Sequence, residues 1–394
     1  MRLKRLVALA IATALPVGIQ MPASAATGNT LVIGVGHFDP DNQNPQTGRV
    51  WSYTDFFSRT VTVHPGNSID FQTAPTEFHV IGLTTDESAA RTGSPLFFPD
   101  SDDGSAAGSG VSKITAGPGL GLAFSSPSCG LSGQRPCVFD GSTLNAGAIA
   151  GFGPTGNPAA VDWTVQIHAP FGTYHYFCYI HPDMSGTLVV TKGSQATSQS
   201  EIDATSEAQF ESNQSQALAA EAAANVVTFT GGGPGTRTYE AHVGLSAADN
   251  HVALLEMAPT SLSLAAGDKV HYTWSFQEIH TASFPANNDA VLVEPFGWDC
   301  GTSYVPSPPG PPQPPPSCVE VENGQPELLL DPGNARPGHL ADTNAPVNSG
   351  VLVGSGYNLN PSVQDWSVVA DNPGTYAYQC TLHDWMQGTV TVGS

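Results

Sequence analysis

Positive charge is scarce in this sequence. Its 394 residues hold 12 Lys and Arg against 34 Asp and Glu, a formal net charge of −22, and charged residues of both signs make up only 12%. Clustered Lys and Arg are what hold nucleic acid and anionic membrane surfaces, so this balance excludes both as partners. It suits a basic-surfaced protein partner, and it also serves plain solubility. Cysteine is scarce as well, at six residues, which is too few for a disulfide scaffold of this length. There is no G-x-S-x-G nucleophile motif, and the glycine run Gly231-Gly-Gly-Pro-Gly235 is broken by proline and reads as a turn rather than a phosphate cradle. No two histidines are separated by a single residue.

Long apolar runs are missing too, apart from one at the N-terminus. Basic Met1–Arg5, apolar Leu6–Ile19 interrupted by Pro16, and the small residues Ala23-Ser24-Ala25 read as a signal peptide spanning 1–25. A membrane anchor would need about 20 uninterrupted apolar residues. The mature chain is therefore expected to be secreted or held in the periplasm or cell envelope, with no membrane insertion after signal removal. Losing Arg2, Lys4 and Arg5 would leave nine basic residues against 34 acidic ones.

Glycine (42 residues) and proline (33 residues) are plentiful. Many turns and few charged helical faces predict an all-β protein, and the length suits two domains. The division is visible as a repeat. Gly172-Thr-Tyr-His-Tyr-Phe-Cys-Tyr-Ile-His-Pro-Asp-Met184 returns as Gly374-Thr-Tyr-Ala-Tyr-Gln-Cys-Thr-Leu-His-Asp-Trp-Met386. Thr60–Phe71 returns as Ser261–Tyr272, each expected to be a hairpin of strand, glycine turn (Gly66, Gly267) and strand, and Asp162-Trp163 returns as Asp365-Trp366. Between the halves, 194–225 is rich in Ser, Gln, Glu and Ala. That composition fits a helix over Glu201–Ala224 as well as a disordered linker, and marks a boundary between domains 26–193 and 226–394.

Both copies of the repeat carry Cys, His and Met at the spacing C-x2-H-x2-M: Cys178, His181, Met184 and Cys380, His383, Met386. Thiolate, imidazole and thioether together form a soft donor set that favours copper, whereas zinc prefers further Cys or His in place of Met. A blue-copper site needs a second histidine, and His79 and His280 offer it. The two histidines are offset by 201 residues and the other three ligand pairs by 202. The remaining cysteines, Cys129, Cys137, Cys300 and Cys318, can pair in three ways. Cys129–Cys137 and Cys300–Cys318 are favoured because each pair closes a local loop within one half; the second would staple the proline run 306–316.

The motif Gly-Thr-Tyr-x-Tyr-x-Cys-x-x-His-x-x-Met, followed by glycine and an alternating strand, resembles the copper loop of cupredoxins, with the short spacing of amicyanin. The resemblance covers the core strands of both halves but not the insertions or the linker. It implies two tandem Greek-key β-sandwiches, each with one type 1 copper held by His79, Cys178, His181 and Met184 or by His280, Cys380, His383 and Met386. It further implies that the loop histidine, His181 or His383, reaches the surface as the electron's exit, and that the partners are redox proteins. Laccase-like oxidases use His-x-His pairs and a His-Cys-His segment, and copper nitrite reductases place a histidine directly before the cysteine. Phe177 and Gln379 stand there instead. These absences lead to the expectation of an electron carrier that is not an enzyme. The alternatives are a copper oxidoreductase with a further site and a copper-delivery protein. Tyr174, Tyr176, Tyr376 and Tyr378 are expected to pack or to form tyrosine-corner hydrogen bonds rather than relay electrons.

Overall fold

The computed structural model describes residues 30–36, 51–73, 78–94, 97–98, 113–116, 122, 128–150, 162–193, 195–286, 298–299, 304–305, 319–322, 325–329, 338–345, 347–349, 352–357, 365–380, 383 and 385–393. The proposed signal peptide and the Cys300–Cys318 pair lie outside them.

The protein is all-β, built from facing sheets in each half. In the first half one sheet runs in the order 56–57, 30–35, 68–73, 162–167, 137–139, and the other in the order 144–150, 78–84, 172–178, 185–190, 60–63. The second half repeats the plan. One sheet contains 252–258, 238–246, 269–274, 365–369 and 338–339, and the other runs 261–265, 387–393, 374–379, 283–284, 347–348. Alternation along Ser68–Thr73, Asp162–Ile167 and Ser185–Val190 buries every second residue, so each strand gives one face to the space between sheets.

The strand–turn–strand segments do not form hairpins. Thr60–Val63 pairs with Ser185–Val190, whereas Ser68–Thr73 pairs with Thr30–Val35 and Asp162–Ile167. Ser261–Ala265 and Lys269–Trp274 separate in the same way. The turn is thus an arch from one sheet to the facing one. Gly66 (φ +92°) and Gly267 (φ +91°) hold it in the left-handed conformation that favours glycine.

The repeat extends to core packing. Trp163 stacks on Phe71, and Trp366 stacks on Tyr272, with centroids 5.8 Å apart in both. Tyr174 and Tyr376 each donate a hydroxyl hydrogen bond to the carbonyl four residues upstream, Pro170 and Asn372, at 2.8 and 2.9 Å. These are the expected tyrosine corners. The disulfide Cys129–Cys137 is formed.

The region between the halves is a helix, Gln199–Ala224, opened by a reciprocal capping box between Ser198 and Glu201. Ile202, Ser206, Phe210, Asn213, Ala217 and Glu221 are buried along one side. The helix covers a second apolar cluster in which Trp51, Tyr53 and Phe57 meet Phe210, Ala217, Val252 and Leu254. Trp51–Tyr53 leaves the first half to pair antiparallel with Val252–Leu254 at the edge of a second-half sheet. At their centre the Asp55 carboxylate, fully buried, accepts from Arg59 Nη2 (2.6 Å), Arg59 Nε (2.8 Å) and Asn213 Nδ2 (2.8 Å). Strand, helix and carboxylate join the two halves.

Candidate metal centres

Each candidate ligand sits where a strand begins or ends. In the first half His79 lies on the strand Phe78–Thr84, and Cys178 closes the neighbouring strand Gly172–Cys178. The two strands pair with Cys178 opposite Ile81. The chain then folds back on itself. Cys178 N donates to Met184 O (3.0 Å), Met184 N to His181 O (3.3 Å), and Tyr179 N to Val80 O (2.8 Å). This loop brings His181 Nδ1 to 3.2 Å from His79 Nδ1 and 3.5 Å from Cys178 Sγ. The sulfur also receives the Val80 amide at 3.4 Å.

The second half reproduces the arrangement. His280 Nδ1 and His383 Nδ1 are 3.2 Å apart, with Cys380 Sγ 3.9 Å from the first and 3.7 Å from the second. The Thr281 amide donates to Cys380 Sγ at 3.4 Å, and Cys380 N and Met386 N repeat the loop bonds to Met386 O and His383 O at 3.0 and 2.9 Å. Met184 and Met386 are both buried. Among the described residues, these two His–Cys–His sets are the groups of three metal-ligating side chains that converge, with ligand atoms within 4.8 Å of one another.

The donor spacings fit one metal ion in each set. With bonds of ~2.0–2.1 Å to nitrogen and ~2.3 Å to sulfur, ligands spread at roughly 105–120° lie ~3.2–3.6 Å apart for N···N and ~3.4–3.8 Å for S···N. The observed distances fall in or close to those ranges. Burial favours the neutral, metal-binding form of every ring. It pushes His79 down to about 3 and His383 to about 4, and holds His181 and His280 well below the usual histidine range. Burial pushes the Cys178 thiol up, while the Val80 and Ile180 amides and Arg91 act in the opposite sense. A metal arriving there must displace the thiol proton.

Three neighbours of the sites carry no sequence motif. Gly244, at φ +72° beside a bulge in the strand Thr238–Ser246, leaves room for the His280 ring; an added Cβ would strike His280 Nε2. A Gly244→Ala chain is therefore expected to bind metal at the second set about 10–100-fold more weakly, as for loss of a residue orienting a ligand, with the first set unchanged. Equilibrium copper titration resolves the two, and equal affinities would show that the ring accommodates the methyl. Glu278 lies two residues before His280, yet its Oε1 is 3.8 Å from His181 Nε2 of the other half. The Tyr357 hydroxyl, 2.8 Å from Ile180 O and 2.7 Å from Gln277 O, bridges the same seam.

The expected surface exposure thus differs between the halves. His181 is only 7% exposed and its outer nitrogen faces Glu278, so the first loop histidine meets the second half rather than solvent. His383 is half-buried and lies 5.4 Å, between ring centroids, from Trp385, which is 47% exposed.

No family model matches the chain, and no curated protein matches it. Solved structures that match include cupredoxins and a copper enzyme. Plastocyanin from Dryopteris crassirhizoma is 18% identical, covers 39% of this chain and 99% of its own, and has a TM-score of 0.19. Auracyanin B is 20% identical over 42% of this chain and 94% of its own, also with a TM-score of 0.19. A copper-containing nitrite reductase from Thermus scotoductus SA-01 is 12% identical, covers 93% of this chain and 68% of its own, and has a TM-score of 0.20. At these identities the likeness bears on the fold alone. The nitrite reductase nevertheless corrects the expectation that the protein is not an enzyme, because its match runs along nearly the whole chain. The absence of a histidine before each cysteine removes one covalent link between coppers, and not enzymatic function as such. The two His–Cys–His groups are donor sets of the kind that holds a soft metal ion such as copper.

Proposed function

We propose that this is an extracytoplasmic electron-transfer protein with two type 1 copper centres, one in each half. The observation that carries the reading is the twofold convergence of two imidazole nitrogens and one cysteine sulfur, each above a loop closed by a buried methionine. His79, Cys178, His181 and Met184 would hold one ion; His280, Cys380, His383 and Met386 would hold the other. Bound copper supplies one-electron redox chemistry.

The chain's own residues supply the rest. The Val80 and Thr281 amides donate to the two sulfurs and temper their electron donation. Strand hydrogen bonds and the backbone hydrogen bonds that close each loop hold the donors in one geometry, which keeps reorganisation small. Trp385 beside His383 offers an apolar exit to a redox partner, and the formal charge of −22 favours a basic-surfaced one. His181, covered by Glu278, faces the second half, so the first centre would exchange electrons through the seam between halves. Among the described residues no helix is long and apolar enough to cross a membrane.

A redox titration followed by visible absorption tests the reading. The copper-loaded chain is expected to bleach fully on accepting two electrons and to recover its colour on reoxidation without losing metal. Release of copper on reduction would favour a delivery protein instead.

A further inference from the structure

One side chain ties the first metal loop from outside. Arg91 stands in the last turn of the short helix Glu87–Gly93. Its Nη1 donates to Cys178 O at 2.6 Å and to His181 O at 3.4 Å, and its Nη2 donates to Met184 O at 3.1 Å. Those carbonyls belong to the three donor residues of the loop. Arg91 Nε is held by Glu87 Oε1 at 2.7 Å, and the guanidinium lies over the Phe177 ring, 4.8 Å from its centroid.

We propose that Arg91 is a positioning residue of the first centre, ordering the Cys178–Met184 loop before metal binds and favouring the reduced ion afterwards. This rests on the copper reading above. The first effect is geometric. A planar guanidinium presents its donors in a fixed fork, so three carbonyls bound to it cannot move independently. The loop amides add to this, since Cys178 N donates to the same Met184 carbonyl that Arg91 grips. The second effect is electrostatic. A copper–thiolate centre carries one more positive charge when oxidised than when reduced, so a permanent cation beside it disfavours the oxidised form. Glu87 offsets part of that charge, but it takes the Nε edge while the terminal nitrogens face the loop.

The test uses the full chain with Cys380→Ser, so that only the first centre reports, and adds Arg91→Gln or Arg91→Lys. In the metal-free protein, amide exchange at Cys178 and Met184 is expected to quicken about tenfold or more in the Gln variant. In the copper-loaded protein, its reduced-to-oxidised ratio at fixed poise is expected to fall about tenfold, equivalent to ~59 mV for one electron. The Lys variant keeps the charge and loses the fork. It should therefore retain the potential while showing the faster exchange and an altered copper hyperfine splitting. A Gln variant with wild-type exchange and potential overturns the proposal. If the Cys380→Ser parent takes up no copper, the copper reading fails, and the exchange measurement alone decides whether Arg91 orders the loop.

Discussion

A Cys178→Ser chain is expected to lose about half of the intense visible absorption of the copper-loaded protein, and Cys380→Ser to lose the other half. The colour of such a site comes from charge transfer between thiolate and oxidised copper, and each His–Cys–His group contains a single sulfur of this kind. Both cysteines are buried, and the other described cysteines, Cys129 and Cys137, are bonded to each other, so among the described residues no second thiol replaces them. Serine keeps the size but does not ionise at neutral pH, so the histidines and methionine would hold copper weakly and without colour. The double variant is expected to be colourless. Metal analysis and absorption spectra of the three variants check this. Loss of all colour from one single variant would mean that the two groups do not act as separate centres.

Asp55→Ala is expected to cost about 3 kcal/mol of stability, a large effect for a residue that belongs to neither donor set. The carboxylate is fully buried and accepts three hydrogen bonds from Arg59 and Asn213, which come from the first half and the bridging helix. Removing one partner of a buried ion pair typically costs ~3–5 kcal/mol. The Arg59 side chain is 36% exposed, so water can take over part of its solvation, and the lower end applies. Asn213, almost fully buried, also loses an acceptor. Urea unfolding measures the loss. The same variant should loosen the pairing of Trp51–Tyr53 on the second-half sheet, seen as faster amide exchange at Val252 and Leu254. Stability within ~0.5 kcal/mol of wild type would show that the strand and the helix packing join the halves without the carboxylate.

The donors were legible because a metal site needs fixed residue types at short spacing, and here the pattern stands twice at nearly one offset. What converges on those donors was not. Arg91 belongs to a seven-residue helix in a segment with no counterpart motif, and the only hint is the scarcity of cations. Glu278 and Tyr357 act across a seam that no local pattern encodes. Alternation identified the strands of Thr60–Phe71 correctly, but period two reports which face is buried and not which strand lies alongside. The pattern alone therefore predicts a hairpin where the chain forms an arch. The helix Gln199–Ala224 was ambiguous for a related reason: its buried side mixes Ser206, Asn213 and Glu221 with Ile202 and Phe210, so apolar periodicity alone misses it. The signal that could have found it is the Ser198-x-x-Glu201 capping box.

Copper analysis combined with electron paramagnetic resonance of the oxidised, copper-loaded chain tests the central claim most directly. Two coppers per chain, both with the narrow hyperfine splitting of a thiolate-bound ion, is the expected result. One copper per chain, or a wide splitting at either centre, would contradict it.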